Sequence, residues 1–273
     1  VSKPRRKVLT TGSNSGLGLA TLLEMARRGH DSIGTVRSPD KAKIVAELAA
    51  REGLEVTTHI LDVTDASACA AVVREVEPEV LVNNAGYMVY AAVEEVEDED
   101  ARNLLETMVL APTRLARLCI PAMRSKNWGR IIQVSSISAR VSFPLMGWYQ
   151  GCKQALEGIS DAMRLELASS GIAVALVEPG IFRSEMSQEF SAPKSAQGSR
   201  YATAYERSGS FYGRLGAMMT DAETVARVIA EAVEARSPRA RYPVGLDAQF
   251  NLLSDPVTPT ALRDRALRTF FGL

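Results

Sequence analysis

Short β-like runs alternate with amphipathic helical runs almost to the end of the chain. This predicts an α/β fold: a single doubly wound, Rossmann-type domain with a parallel sheet of about seven strands and helices on both faces. A second observation agrees. The stretch Thr11-Gly12-Ser13-Asn14-Ser15-Gly16-Leu17-Gly18 follows a short apolar run, Val8-Leu9, and opens a helical pattern from Leu19 to Arg28. Strand, glycine turn and helix form the opening unit of such a fold. The third is continuity: no linker, repeat or low-complexity segment divides the 273 residues, so residues 1–273 read as one domain.

The elements follow in order. Strands are expected near Lys7–Thr11, Ser32–Val36, Glu55–Leu61, Val80–Val82, Arg130–Val134, Ala173–Val177 and Arg241–Val244, with helices between them. Residues 42–51, for example, place Ile44, Val45 and Leu48 at helical spacing. The stretch of about 185–220 is too long for a plain connection and reads as an irregular lid. Residues of about 245–273 form a C-terminal extension, in which Pro256 and Pro259 precede a short helical pattern from Thr260.

Composition removes several classes of function. Hydrophobic residues make up 46% and charged residues 23%, enough for a substantial core. Lys+Arg and Asp+Glu both number 32, which gives no electrostatic case for nucleic acid or an anionic membrane. No apolar run approaches a membrane span, and the basic opening Lys3-Pro4-Arg5-Arg6-Lys7 reads as a solvated start. Cys69, Cys119 and Cys152 are widely spaced and odd in number. They fit reduced thiols in a cytoplasmic protein, with neither a disulfide frame nor a metal site. His30 and His59 read as surface or helix-end residues.

In a doubly wound sheet, ligands meet the carboxyl ends of the strands. The glycine turn suits a nucleotide pyrophosphate, because backbone N–H groups at a helix N-terminus favour anions. The second strand ends at Val36-Arg37. An NAD site usually places an acid near this point. A guanidinium can instead pair with the 2′-phosphate of NADP. Asp62-Val63 ends the third strand with a cap suited to an adenine amino group, or to the N-terminus of the next helix. Asn83-Asn84-Ala85-Gly86 ends the fourth with small residues and two amides. Pro179-Gly180-Ile181-Phe182-Arg183-Ser184 follows the sixth as a turn able to meet a nicotinamide carboxamide. Tyr149 and Lys153 lie at i and i+4 on one predicted helix face. A nearby ammonium favours a phenolate, which otherwise forms only near pH ~10.

Taken together, Thr11-Gly12-x3-Gly16-x-Gly18, Asp62, Asn83-Asn84-Ala85-Gly86, Ser136, Tyr149-x3-Lys153 and Pro179-Gly180-x3-Ser184 resemble the short-chain dehydrogenase/reductase family. They occur in its order and spacing. Wording near Gly129-Arg130 and Tyr242-Pro243-Val244-Gly245 is most similar to its hydroxysteroid and retinol dehydrogenase-like branch. The resemblance implies an NADP(H)-dependent oxidoreductase. Tyr149 would exchange a proton with the substrate oxygen, Ser136 would hold that oxygen, and Lys153 would hold the nicotinamide ribose and lower the tyrosine pKa. The family often has Asn where this chain has Met108. Elimination or cyclisation on the same fold, or nucleotide sensing without turnover, are the alternatives.

Two segments should wall the substrate pocket: residues 141–148, with Phe143, Leu145, Met146 and Trp148, and the lid, with Met186, Phe190, Tyr201, Tyr205, Phe211 and Tyr212. Tyr87, Met88 and Tyr90 contribute from below. Such walls favour a lipophilic carbonyl compound or alcohol. The resemblance further implies a homodimer or homotetramer through helices near 104–123 and 151–169, with Leu115, Leu118, Ile159 and Met163 as contacts. Finally, Pro112 removes the usual helical partner of the Met108 carbonyl and should kink that helix. The freed oxygen would then hold a water serving Lys153.

Overall fold

The computed structural model describes residues 4–182, 198–215, 219–254 and 258–273. Its core is a parallel sheet of seven strands: β1 (Lys7–Thr10), β2 (Asp31–Val36), β3 (Thr57–Ile60), β4 (Val80–Asn83), β5 (Gly129–Val134), β6 (Ile172–Pro179) and β7 (Arg241–Val244). Their order is β3-β2-β1-β4-β5-β6-β7, so the winding reverses between β1 and β4. Every adjacent pair is parallel, and Val8, for instance, lies between Ser32 and Val80.

The strands are apolar throughout because both faces are covered. Successive side chains alternate between faces. Val8, Val80, Val82, Ile132, Val134 and Val177 join one core with helices α1 (Gly16–Arg27) and α8 (Ala222–Glu234). Leu9, Leu81, Ile131 and Val174 join the other with α3 (Ala66–Val76), α5 (Ala111–Ser125) and α6 (Gly147–Glu166). Helix α2 (Pro39–Arg51) places Val45 against Leu22 and Val36. It starts with Ser38 Oγ accepting the Lys41 N–H and with proline in its first turn, a preorganised N-terminus.

Several sequence expectations require correction. The stretch read as an irregular lid contains helix α7 (Ala202–Leu215). Tyr205 is fully buried, donates its hydroxyl to Glu95 Oε2 at 2.7 Å and accepts the Ala92 N–H at 2.9 Å. It anchors α7 instead of facing a ligand, and Tyr90 is likewise bonded to Ser208. The extension folds as two helices, α9 (Leu246–Ser254) and α10 (Thr260–Phe271). Arg207 of α7 donates to the Thr269 carbonyl of α10 at 2.8 Å. Leu115 and Met163 lie in the second core, so they are not available to a partner subunit, while Leu118 and Ile159 are partly buried against that core. His30 is buried, at 7% exposure, beside Glu234. Arg6 is no solvated cation: it pairs with Glu79 at 2.7 Å and packs on Trp128. All three cysteines are free and buried. Among the described residues, no helix is long and apolar enough to cross a membrane, and no cluster of side chains fits a metal ion.

Candidate active site

Where the winding reverses, the carboxyl ends of β1, β2, β3 and β4 open into a cleft of about 710 Å³. Gly12, Asn14, Ser15, Gly16, Leu17 and Gly18 line it from the glycine turn. Arg37, Asp62, Val63, Asn84, Ala85, Gly86 and Phe182 line it from the later strand ends. Ser13 does not: its hydroxyl donates to Thr10 O at 2.9 Å and its N–H to Thr35 O at 2.8 Å, so it braces the turn from behind. Ser184, Met186 and Phe190 lie outside the described residues, as does the side chain of Tyr212.

The cleft floor is tied together by side-chain to backbone bonds. Thr11 Oγ1 accepts the N–H groups of Asn84 and Ala85 at 3.0 and 2.9 Å. Asn84 Nδ2 donates to Thr11 O at 2.9 Å and Gly12 O at 3.2 Å. Asn83 bridges the Pro112 carbonyl and Gln133, both at 3.0 Å. Two glycines are required for this closeness. Gly12 has φ +68°, and a Cβ there would lie 2.9 Å from the Ala85 Cα. A Cβ on Gly18 would lie 2.1 Å from Gly12 O. A side chain at either position would push the turn off the β4 end, so the glycines serve the tight internal packing of the turn.

The exposed Arg37 and Asp62 face one another across the cleft wall. Asp62 Oδ1 accepts the Thr64 N–H at 2.9 Å and the Thr64 hydroxyl at 2.7 Å. These bonds, with the Arg37 charge, hold the Asp62 carboxyl below its ordinary range. Capping of α3 falls to Asp65, which accepts from Ser67 N at 2.8 Å and Ala68 N at 3.0 Å. Asp62 is thus left at the cleft.

Tyr149 and Lys153 occupy adjacent turns of α6, both buried, with the ammonium 5.7 Å from the ring centroid. Lys153 Nζ donates to Val134 O at 2.7 Å. The Ser136 hydroxyl lies near enough to the Tyr149 phenol to favour its ionised form. Ser136 follows the end of β5 and is held by Ser138, whose hydroxyl donates to it at 2.8 Å. Sequence, strand and helix therefore converge on the expected trio. Its electrostatics differ from expectation. Burial pushes the Tyr149 phenol up to about 12, against the opposing Ser136 hydroxyl. Burial likewise pushes the Lys153 ammonium down to about 8, with Cys152 and Glu157 opposing. Desolvation is the largest influence on the phenol, and the Lys153 ammonium directs a proton at Val134 O. At neutral pH the site presents a neutral phenol beside an ammonium: a proton donor with a cation in reserve.

The loop before α6 holds Val141, Leu145 and Met146 buried, with Phe143 and Trp148 partly so. Leu145 has φ +68°, a left-handed conformation unfavourable for a bulky side chain. Gln150 pins the loop, accepting Phe143 N–H at 3.1 Å and donating to Phe143 O at 2.8 Å. Phe143, Leu145 and Met146 share one cluster with Met88, Met108 and Tyr149.

Met108 sits in a π-helical turn, Glu106–Leu110, between α4 (Asp98–Leu105) and α5. There Ala111 N–H reaches back to Glu106 O. This widened turn directly precedes Pro112, which stands in the first turn of α5 where a missing N–H is tolerated. The Met108 side chain is buried near Gly86. Pro112→Ala is expected to tighten the turn. Because alanine is the better helix former, the melting temperature should hold or rise. Turnover should fall at least about tenfold as the groups beside Tyr149 shift. Parent-like turnover would show that the widened turn has no part in the chemistry.

Sequence reasoning missed further residues. Thr35, Asn103 and Thr107 also line the cleft; none has a motif signal. Asp247 of α9 accepts the Ile181 N–H at 2.7 Å, and a Cβ on Gly180 would collide with its carboxylate. Behind the trio, Glu157 accepts from Ser135 Oγ at 2.6 Å and Arg241 Nη1 at 2.7 Å, with Arg140 Nε at 3.1 Å. Arg241 also bonds Glu178 at 2.8 Å and Asp161 at 2.5 Å. Burial, with Glu178 alongside, raises the Glu157 carboxyl above its ordinary range despite these cations.

Comparison with known proteins agrees with this geometry. The family model described as short chain dehydrogenase matches residues 6–195. The chain is 33% identical to the uncharacterized oxidoreductase YusZ of Bacillus subtilis, over 97% of this chain and 98% of that protein. It is 30% identical to the NADPH-dependent 3-dehydrocapnine reductase of Ornithobacterium rhinotracheale, over 88% of each. A solved short chain dehydrogenase from Burkholderia cenocepacia, in complex with NADP, superposes with a TM-score of 0.76 at 25% identity, covering 96% of this chain and 98% of that one.

Proposed function

Because this chain belongs to the short-chain dehydrogenase/reductase family of oxidoreductases, we propose that it interconverts a lipophilic ketone or aldehyde and its alcohol using NADP(H). The observation that carries this reading is the convergence of Tyr149 and Lys153 with Ser136, in the cluster that also holds Met88 of the glycine-lined cleft. The cleft fits a dinucleotide, since Gly12 and Gly18 let the glycine turn close tightly on the β4 end while Gly12, Asn14, Ser15, Gly16, Leu17 and Gly18 all line the open cleft. The turn would hold the pyrophosphate, Asp62 and Val63 the adenine, and Asn84, Ala85 and Gly86 the ribose and ring beyond. Pro179, Gly180, Phe182 and Ser184 would meet the carboxamide. When bound, NADPH supplies the hydride.

The chain's own residues supply the rest. Tyr149, a phenol at neutral pH, donates its proton to the substrate oxygen as negative charge develops there. Ser136 holds that oxygen by its hydroxyl. Lys153 holds the ribose and stabilises the phenolate left behind until solvent reprotonates it. Phe143, Leu145, Met146 and Met88 present an apolar wall, which favours a lipophilic substrate and excludes water. The NADPH-named relative and the NADP-bound neighbour support the cofactor choice. Following NADPH absorbance with ketones, aldehydes and alcohols of increasing chain length tests the proposal; no consumption with any of them refutes it.

Arg37 is the proposed determinant of NADP over NAD. A charge-assisted contact contributes about 1.5–3 kcal/mol. Arg37→Asp is therefore expected to shift the ratio of dissociation constants toward NAD by roughly ten- to a hundredfold. Titration calorimetry with both cofactors measures it, and equal parent affinity for the two removes the assignment.

A further inference from the structure

At the opposite end of the sheet lies a second cavity, of about 660 Å³. It is bounded by Pro4 and Arg6 before β1, Trp128 before β5, Ile172 at the start of β6 and Arg236 after α8. We propose that this cavity binds a small multivalent oxyanion, either a phosphate ester or a polycarboxylate.

Charge accounting supports this. Arg6, Arg130 and Arg236 line the cavity, and Glu234 is the acid among its lining residues. Glu234 is engaged by Arg28 at 2.7 Å and His30 at 3.4 Å, and Arg6 by Glu79 at 2.7 Å. Among the described residues, no carboxylate lies within ion-pair distance of Arg130 or Arg236. Arg130 is 6% exposed. It donates to backbone carbonyls alone, Gly129 O at 2.9 Å and Ala235 O at 3.2 Å, and its Nε has no partner.

The guanidinium groups of Arg6 and Arg130 both lie over the Trp128 ring, at 3.9 and 4.6 Å from its centroid. Two cations thus share one indole, and one of them lacks an acid. An unpaired buried charge is costly. Low-dielectric walls, here Ile172, Val233 and Pro238, concentrate its field in the cavity. An oxyanion spanning Arg130 and Arg236 neutralises that charge and accepts from planar forks suited to it. The site lies at the end of the sheet opposite the glycine-lined cleft, so it serves binding or regulation and not the proposed hydride chemistry.

Trp128 reports on the cavity directly. The chain has two tryptophans, so Trp148→Phe leaves a single indole N–H resonance to follow by NMR. Titration with potassium phosphate and with citrate, at ionic strength held constant by potassium chloride, is expected to shift that resonance saturably for at least one of them. The half-point should be about 1 mM or below. Phosphate alone would identify a phosphate ester, citrate alone a polycarboxylate. Arg236 is exposed, so Arg236→Ala should fold normally, yet weaken binding at least tenfold, and Arg236→Lys should recover most of it. A resonance that neither anion moves beyond the chloride control overturns the proposal. So does binding that Arg236→Ala leaves unchanged, which would reduce the arginine–tryptophan arrangement to packing.

Discussion

Tyr149→Phe is expected to lower turnover by about 10²–10⁴-fold, the usual contribution of a positioned acid, while leaving cofactor affinity within a few-fold. Phenylalanine preserves the ring, which packs with Met108 and Met146. It removes the hydroxyl that faces Ser136. The loss should therefore fall on kcat and spare cofactor binding. NADPH fluorescence titration and steady-state rates separate the two. Activity within a few-fold of the parent would mean that another group carries the proton. The pH profile offers a second view. With the phenol held up to about 12, carbonyl reduction should not decline through loss of the Tyr149 proton anywhere near neutrality. A decline setting in near pH 8 would instead report Lys153, whose ammonium is pushed down to about 8.

Lys153→Met should eliminate activity yet stabilise the cofactor-free protein. The native ammonium titrates at about 8 against 10.5 unperturbed. Holding it charged in the buried site at neutral pH thus costs about 3 kcal/mol. The lost bond to Val134 O returns about 1 kcal/mol of that. A net gain of about 2 kcal/mol at pH 7 is expected. The sign follows from proton counting. Between about pH 8 and 10.5 the unfolded lysine binds a proton that the native lysine does not, so parent stability rises with pH relative to the variant. The variant's advantage is full below pH 8 and fades as pH approaches 10.5. Tyr149 titrates in both proteins and cancels. Denaturant melts at pH 7 and 10 test this; a variant no more stable than the parent, or an advantage constant with pH, contradicts the burial cost assigned to the lysine.

What was legible in the sequence was what local chemistry dictates. Apolar runs mark the strands, and the run Arg241–Val244 coincides with β7 to the residue. The cleft followed from glycines whose spacing has a steric reason, and the trio from residues whose types are rare in that combination. Misreadings arose where tertiary contacts decide. Ser13 looks like a phosphate ligand until Thr10 and Thr35 take its polar groups. Tyr205 looks like a pocket aromatic until Glu95 and Ala92 take its hydroxyl. Arg6 belongs to a charged run whose solvation only the neighbouring Trp128 revokes. Leu115 and Met163 sit on helices with two apolar sides, and periodicity alone does not say which side meets the sheet. The positions of Lys153 and Tyr149 were readable, but their proton affinities were not, because burial and the direction of one hydrogen bond set them.

The ion cluster behind α6 changes what counts as the working unit of this protein. Every motif residue of the trio precedes residue 154, and the matched family region ends at 195. Yet Arg241, on the outermost strand, grips Glu157 and Asp161 of the helix that carries Tyr149, and Glu178 of the strand between. Glu157 in turn grips Ser135, next to Ser136. One guanidinium therefore acts as a mechanical keystone: it fixes the rotation of the donor helix against the serine-bearing strand. The smallest fragment able to hold this geometry must extend through the sheet's far edge, well past the last residue that any motif would mark.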